Sequence, residues 1–86
     1  MLENTSMTFG EALEAMKAGK KVARTGWNGK GMYLYLADGK LLTQEIGDGS
    51  YPFTDSIVMK TADNRYCIGW LASQTDMLAE DWHIVE

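Results

Sequence analysis

Residues 20–36, KKVARTGWNGKGMYLYL, are the part of the chain around which the predicted fold is organised. The segment around Val22 alternates and predicts a short β-strand, and three glycines within residues 26–31 predict a loop with unusual backbone angles. After this loop, Tyr33 and Tyr35 fall on one face of a second strand and the intervening leucines fall on the other. The stretch therefore predicts two strands of a sheet, separated by a loop that carries an aromatic side chain, an amide and a cation.

Capping and turn signals place the other elements. Thr8 with Glu11, and Ser73 with Asp76, have the spacing of capping boxes, so each pair predicts the start of a helix. Asp38-Gly39 predicts a hairpin turn. The predicted helices are residues 9–18 and 74–79, and the predicted strands are residues 21–25, 32–37, 40–44, 56–61, 65–70 and 82–85. This order predicts an α+β fold with one antiparallel β-sheet, an N-terminal helix and a short C-terminal helix.

Length, charge and cysteine content restrict the class of protein. The chain has 86 residues, which predicts one small domain with a core thin enough to favour oligomers. Within it we expect a flexible lead-in at residues 1–7 and a single ligand-binding domain at residues 8–86. A net charge of −4 disfavours binding of long nucleic acids. The single cysteine fits a reducing cytoplasm, and we expect no membrane span and no signal peptide because no apolar run approaches about 18 residues.

Candidate catalytic groups are few. His83 is the only histidine, and its place in the last predicted strand favours a structural role. Cys67 lies between Tyr66 and Ile68, a pattern that predicts a buried, inert thiol. One cysteine and one histidine do not make a convincing zinc site. We therefore predict a protein that is not an enzyme and that uses no cofactor or metal.

Binding of an anionic, planar ligand is better supported. Five of the eight basic residues lie between Ala15 and Ala37, where no acidic residue occurs. Purine bases stack on tryptophan or tyrosine, amides pair with base edges, and phosphates accept bonds from arginine and from backbone N–H groups. The glycine-rich loop offers Arg24, Trp27, Asn28 and Lys30, and the start of the second helix offers Ser73, Gln74 and Thr75, near Trp70 and Trp82. Each cluster by itself is also open to a structural interpretation: core tryptophans, a capped helix and a solvated basic face.

Two groups of short motifs, one in each half of the chain, extend this interpretation to a known family. FGEAL at residues 9–13, GKKVAR at 19–24 and GWNGKGM at 26–32 resemble the opening of a family of small phage proteins. IVMKTAD at residues 57–63 and GWLASQTDMLAEDW at 69–82 are similar to its close. The family includes the second class of Thoeris anti-defence proteins. The resemblance covers residues 7–85, whereas residues 41–51 match nothing in it.

The resemblance implies a function by sequestration. Thoeris defence in bacteria produces a cyclised ADP-ribose signal that activates a killing effector. Proteins of this family bind the signal without cleaving it, and some also hold cyclic dinucleotides at a separate site. They form homotetramers whose pockets lie where subunits meet. This chain is thus expected to act in the cytoplasm of the infected bacterial host, as a sponge for a cyclic ADP-ribose-type signal.

The resemblance also suggests roles for individual residues. Trp27 would stack on adenine, Asn28 would read a base or ribose edge, and Arg24 or Lys30 would meet the pyrophosphate. Gln74 and Thr75 would bond ribose or phosphate, and Asp76 would hold a ribose hydroxyl unless it only caps its helix. The ligand-binding residues expected in this way are Arg24, Trp27, Asn28, Lys30, Met32, Tyr33, Gln74, Thr75, Asp76 and Trp82. The alternative left open is a phage structural or protein-interaction module with no small-molecule ligand.

Overall fold

The structure, a computed structural model that describes residues 4–85, is a five-stranded antiparallel sheet with three helices. Residues 1–3 of the predicted lead-in, and residue 86 at the end of the predicted domain, lie outside the described residues. The elements are α1 (Phe9–Lys17), β1 (Lys21–Arg24), β2 (Tyr33–Ala37), α2 (Gly39–Ile46), β3 (Ser56–Lys60), β4 (Tyr66–Ile68), α3 (Gln74–Leu78) and β5 (Trp82–Val85). The sheet order β4-β3-β2-β1-β5 confirms the predicted α+β class.

Both predicted capping boxes are confirmed. At the start of α1 the Thr8 hydroxyl accepts a bond from the Glu11 backbone N–H at 3.2 Å, and the Glu11 carboxylate accepts one from the Thr8 N–H at 2.9 Å. Ser73 and Asp76 make the same reciprocal pair at α3, at 3.1 and 3.3 Å. These bonds satisfy backbone donors that have no partner inside the helix, so a four-residue motif was sufficient to locate each helix start.

The core lies between α1 and one face of the sheet. Val22 and Leu34 are directly opposite each other in β1 and β2, and both are completely buried, as the alternation of the second strand predicts. Met16 of α1 and Trp82 of β5 pack into the same cluster. Met7, the last residue of the predicted lead-in, joins this core and pairs with Trp82 through two backbone bonds of 3.0 and 3.1 Å. None of the helices among residues 4–85 is both long and apolar enough to cross a membrane.

The predicted hairpin turn at Asp38-Gly39 and the predicted strand at residues 40–44 are wrong, because this segment is helix α2. Asp38 acts as the N-cap and accepts a bond from the Lys40 N–H at 2.8 Å, and the Thr43 hydroxyl donates a bond to the Gly39 carbonyl at 2.7 Å. Aspartate suits an N-cap as well as a turn. Gly39 is required for packing, since a Cβ there would collide with the carbonyl oxygen of Phe53.

The prediction that Cys67 is buried is also wrong. The edge strand β4 has all three of its residues exposed, and Cys67 is a free, exposed cysteine. The helix that covers the core face packs on β1, β2 and β5 at the other end of the sheet. The prediction failed because the residues beside Cys67 in the sequence do not show that α1 packs on other strands of the sheet and leaves β4 uncovered.

Candidate functional site

The glycine-rich loop after β1 forms one side of an open cleft of about 660 Å³. Arg24 from the end of β1, Trp27 from the loop, and Met32 and Tyr33 from the start of β2 line this cleft. These are four of the ten residues that the sequence predicts as ligand contacts. The remaining lining residues are Thr5, Ala23, Thr25, Gly29, Gly31, Lys60, His83 and Val85.

Arg24 is engaged by two carboxylates. Its Nε donates to Asp81 Oδ1 and its NH1 group donates to Asp76 Oδ1, both at 2.9 Å. The other oxygen of Asp81 accepts the Gly26 backbone N–H at 2.8 Å. One cation therefore ties the end of β1 to α3 and to the segment that precedes β5. Because one arginine faces two carboxylates, this cluster carries a net negative charge.

The pKa values of the three groups follow from these contacts. Hydrogen bonds that Arg24 donates to Asp81 and Asp76 raise the pKa of its guanidinium above the usual value. Burial opposes ionisation of Asp76, but bonds from Arg24, Ser73 and Trp27 outweigh it and lower the pKa of the carboxyl below 3.8. The bond from Arg24 lowers the pKa of Asp81 despite partial burial. All three groups are ionised near neutral pH, so the cluster is a genuine charge network.

Trp27 is held in place by the same network. Its Nε1–H donates to Asp76 Oδ1 at 3.2 Å. Its ring lies edge-on to Trp82, with 5.3 Å between ring centroids, and edge-on to Trp70 at 6.3 Å. The side chain is half-buried and also lines the cleft. It therefore belongs to the aromatic packing and also borders the cleft.

The structure does not bring the other predicted contacts into this cleft. Asn28 and Lys30 are exposed on the loop, and Gln74 and Thr75 are exposed at the start of α3. Trp82 is completely buried and donates its Nε1–H to the carbonyl of Asp76 at 3.0 Å. Asp76 itself is occupied as a cap and as a partner of Arg24 and Trp27. Within the described part of the chain, the cleft is thus built from the glycine-rich loop and the sheet rather than from α3.

Two lining residues with ionisable side chains, Lys60 and His83, were not among the predicted ligand contacts. Lys60 enters the cleft because it is directly opposite Tyr33 in the β2–β3 pair, and its Nζ donates to the Gly31 carbonyl at 3.0 Å. His83 enters because it is opposite Ala23 in the β1–β5 pair, with Nδ1 3.4 Å from the Thr25 hydroxyl oxygen. Strand pairing is the signal that would have found both. Residues 4–85 contain no group of three or more His, Cys, Asp or Glu side chains arranged to hold a metal ion.

The structure is a small, single-sheet α+β domain with an open cleft beside an aromatic cluster that a charge network holds in place. Residues 7–85 match the Thoeris anti-defense 2-like domain, which is nearly the whole chain. The sequence is 49% identical over 87 residues to "Thoeris anti-defense 2" of Bacillus phage SP01, a match that covers 94% of this chain and 97% of that protein. The chain therefore belongs to the Thoeris anti-defence 2 family, as the resemblance in its motifs indicated. Membership supports a role for this protein against Thoeris defence.

Proposed function

We propose that this protein acts in the cytoplasm of the infected bacterium as a sponge, which binds a cyclic ADP-ribose-type signal and keeps it from the Thoeris effector. The observation that carries the proposal is the position of the cleft. In a member of the anti-Thoeris family, Trp27, Met32 and Tyr33 meet on one side of a space of about 660 Å³. That volume falls in the range of small-molecule sites, which are commonly about 300–1,000 Å³.

In this proposal the aromatic residues supply most of the contact. A purine base would stack on the accessible part of Trp27 or on Tyr33, and each such stack is worth about 1–3 kcal/mol. Asn28 and Lys30, exposed on the loop at the edge of the cleft, would reach a base edge and a phosphate. Arg24 and Asp76 would act mainly by holding Trp27, because Asp76 accepts the Trp27 Nε1–H and is itself bound, as is Asp81, by the Arg24 guanidinium.

Gln74 and Thr75 fit this scheme best if the protein is an oligomer. Both are exposed on α3 and lie outside the cleft of their own chain. Leu71 and Leu78, which flank them in the sequence, are 89% and 78% exposed, respectively. Apolar side chains exposed to this extent are typical of contacts between proteins. A homotetramer that buries this surface would place Gln74 and Thr75 against the ligand of a neighbouring copy.

The first test of the proposal is a thermal-shift screen against cyclic ADP-ribose isomers, cyclic dinucleotides, ADP-ribose and NAD. A ligand present at about a thousandfold its Kd should stabilise the protein by about 4 kcal/mol. We expect a large shift with one cyclic ADP-ribose isomer and its loss in Trp27→Ala. A shift with cyclic dinucleotides alone would move the protein to another signalling pathway. The absence of any shift would refute a small-molecule function and favour the alternative of a protein-interaction module.

Binding and cleavage need a separate measurement, because His83 lines the cleft. Ligand recovered after denaturation of the complex should be chemically intact if the protein only sequesters it. Recovery of a linear product would show a hydrolase and would contradict the sponge. Light scattering of the purified protein, with and without ligand, should give about four times the 9.6 kDa of the chain. A monomer under both conditions would refute the proposed contribution of Gln74 and Thr75.

A further inference from the structure

We propose that Lys60, rather than Arg24, is the cation inside this cleft that contacts the phosphate of a phosphorylated ligand, in addition to Lys30 on the loop at its edge. The inference rests on the proposed function and names the group that would contact the phosphate or pyrophosphate of a nucleotide. Neither the glycine-rich loop nor the start of α3 contains Lys60, and only the pairing of β2 with β3 brings it to the cleft.

Charge decides between the two cations that line the cleft. The guanidinium of Arg24 is bound to Asp76 and Asp81, each 2.9 Å away, so the local field around it is negative and unfavourable to a phosphate. Lys60 forms no ion pair among residues 4–85. An anion that enters the cleft is therefore repelled from the side of Arg24 and attracted to the side of Lys60.

The ammonium group of Lys60 is also held at the right place. Its Nζ donates one bond to the Gly31 carbonyl at 3.0 Å, and it lies 5.9 Å from the centroid of the Tyr33 ring. An ammonium has three N–H donors, so two remain to bind a ligand that stacks on Tyr33. Gly31 has a φ of +75°, and a Cβ there would come within 3.2 Å of Nζ. A glycine at this position thus lets the loop carbonyl approach the ammonium closely.

Lys21 provides a matched comparison on the same sheet face. Its Nζ lies 4.7 Å from the centroid of the Tyr33 ring, yet Lys21 does not line the cleft. A change of either lysine to glutamine removes one positive charge near Tyr33. Only the change at Lys60 removes a donor that faces the cleft.

The experiment is isothermal titration with the cyclic ADP-ribose isomer that gives the largest thermal shift, at 50 and 300 mM NaCl. We expect Lys60→Gln to weaken binding about 10- to 100-fold, the size of a lost charge-assisted hydrogen bond. Lys60→Arg should recover most of this loss, and Lys21→Gln should stay within about threefold of the wild type. Added salt should weaken the wild type more than Lys60→Gln, because screening acts on the charge that the variant lacks.

The outcomes separate this inference from the function on which it rests. If the wild type binds and Lys60→Gln binds within about threefold of it, Lys60 is not the phosphate contact and the sponge still stands. An equal loss in Lys60→Gln and Lys21→Gln would also overturn the inference, since it would indicate a general field effect. If the wild type binds none of the nucleotides, both the proposed function and the inference fail. Melting temperatures of all variants within a few degrees of the wild type would show that the folds are comparable.

Discussion

Removal of the cation from the Arg24–Asp76–Asp81 cluster should destabilise the protein strongly. Arg24→Met keeps the aliphatic part of the side chain, so it tests the charge and the hydrogen bonds rather than the packing. It leaves Asp76 and Asp81 without the guanidinium that binds both of them at 2.9 Å. It also removes the link between the end of β1 and α3, on which the position of the Trp27 indole depends.

The magnitude follows from the burial of the three side chains. Breaking a fully buried ion pair by removal of one partner costs about 3–5 kcal/mol. Here the side chains of Arg24, Asp76 and Asp81 are 15%, 14% and 32% exposed, so water screens part of the effect. We expect a loss of about 2–3 kcal/mol in the free energy of unfolding. For a domain of this size, such a loss lowers Tm by about 10–20 °C.

The assay is urea denaturation and thermal melting at one fixed protein concentration, since an oligomer would make Tm depend on concentration. Arg65→Met is the matched control: Arg65 pairs with Asp63 at 3.3 Å, but these side chains are 82% and 66% exposed. Such an exposed pair should contribute less than about 1 kcal/mol. In a protein that also carries Asp76→Asn and Asp81→Asn, Arg24→Met should cost much less than alone. If Arg24→Met is no worse than Arg65→Met, the cluster does not stabilise the fold.

Three further measurements test other parts of the structure. Folding lowers the pKa values of Asp76 and Asp81, so in acid the unfolded chain binds more protons than the folded chain. The free energy of unfolding should therefore fall as the pH drops below about 5, and it should fall less steeply in Arg24→Met. Gly39→Ala should lower the free energy of unfolding, measured by urea denaturation, by about 1–3 kcal/mol, because the added Cβ would collide with backbone atoms. The control Gly10→Ala, in α1, should be neutral or stabilising. Equal effects of the two changes would contradict the packing at Gly39. Cys67 should react with a thiol reagent in the native protein at a rate near that in urea, and strong protection would place it inside an interface.

Local interactions explain where sequence reasoning succeeded and where it failed within the fold. The capping boxes at Thr8 and Ser73 are formed by residues three apart, so the sequence contains the whole motif. Asp38-Gly39 was ambiguous, because aspartate can begin a helix as well as occupy a turn. The choice depends on contacts outside the motif: the Gly39 N–H donates to Asp55 at 2.8 Å, and Gly39 packs against the backbone of Phe53.

For the site, too, the sequence was informative about residues close together in the chain and uninformative about contacts between distant ones. Four of the residues expected from the sequence and the family resemblance, Arg24, Trp27, Met32 and Tyr33, line one cleft, because a glycine-rich loop between two strands keeps its neighbours close together. It also identified the family, since the resemblance extends over residues 7–85. It gave no means of knowing that the charge of Arg24 is taken up by two aspartates more than fifty residues away.

Residue types and short spacings therefore determined the starts of α1 and α3, the alternation of β2 and the location of the glycine-rich loop, because these depend on interactions between near neighbours. The tertiary structure alone decided that the charge of Arg24 is paired with two aspartates, that Cys67 is exposed on an edge strand, and that Lys60 faces the same cleft as Trp27. The physical reason is that sheet pairing and ion pairing join residues far apart in the chain. Neither the partner of a strand nor the partner of a charge can be derived from the residues beside it.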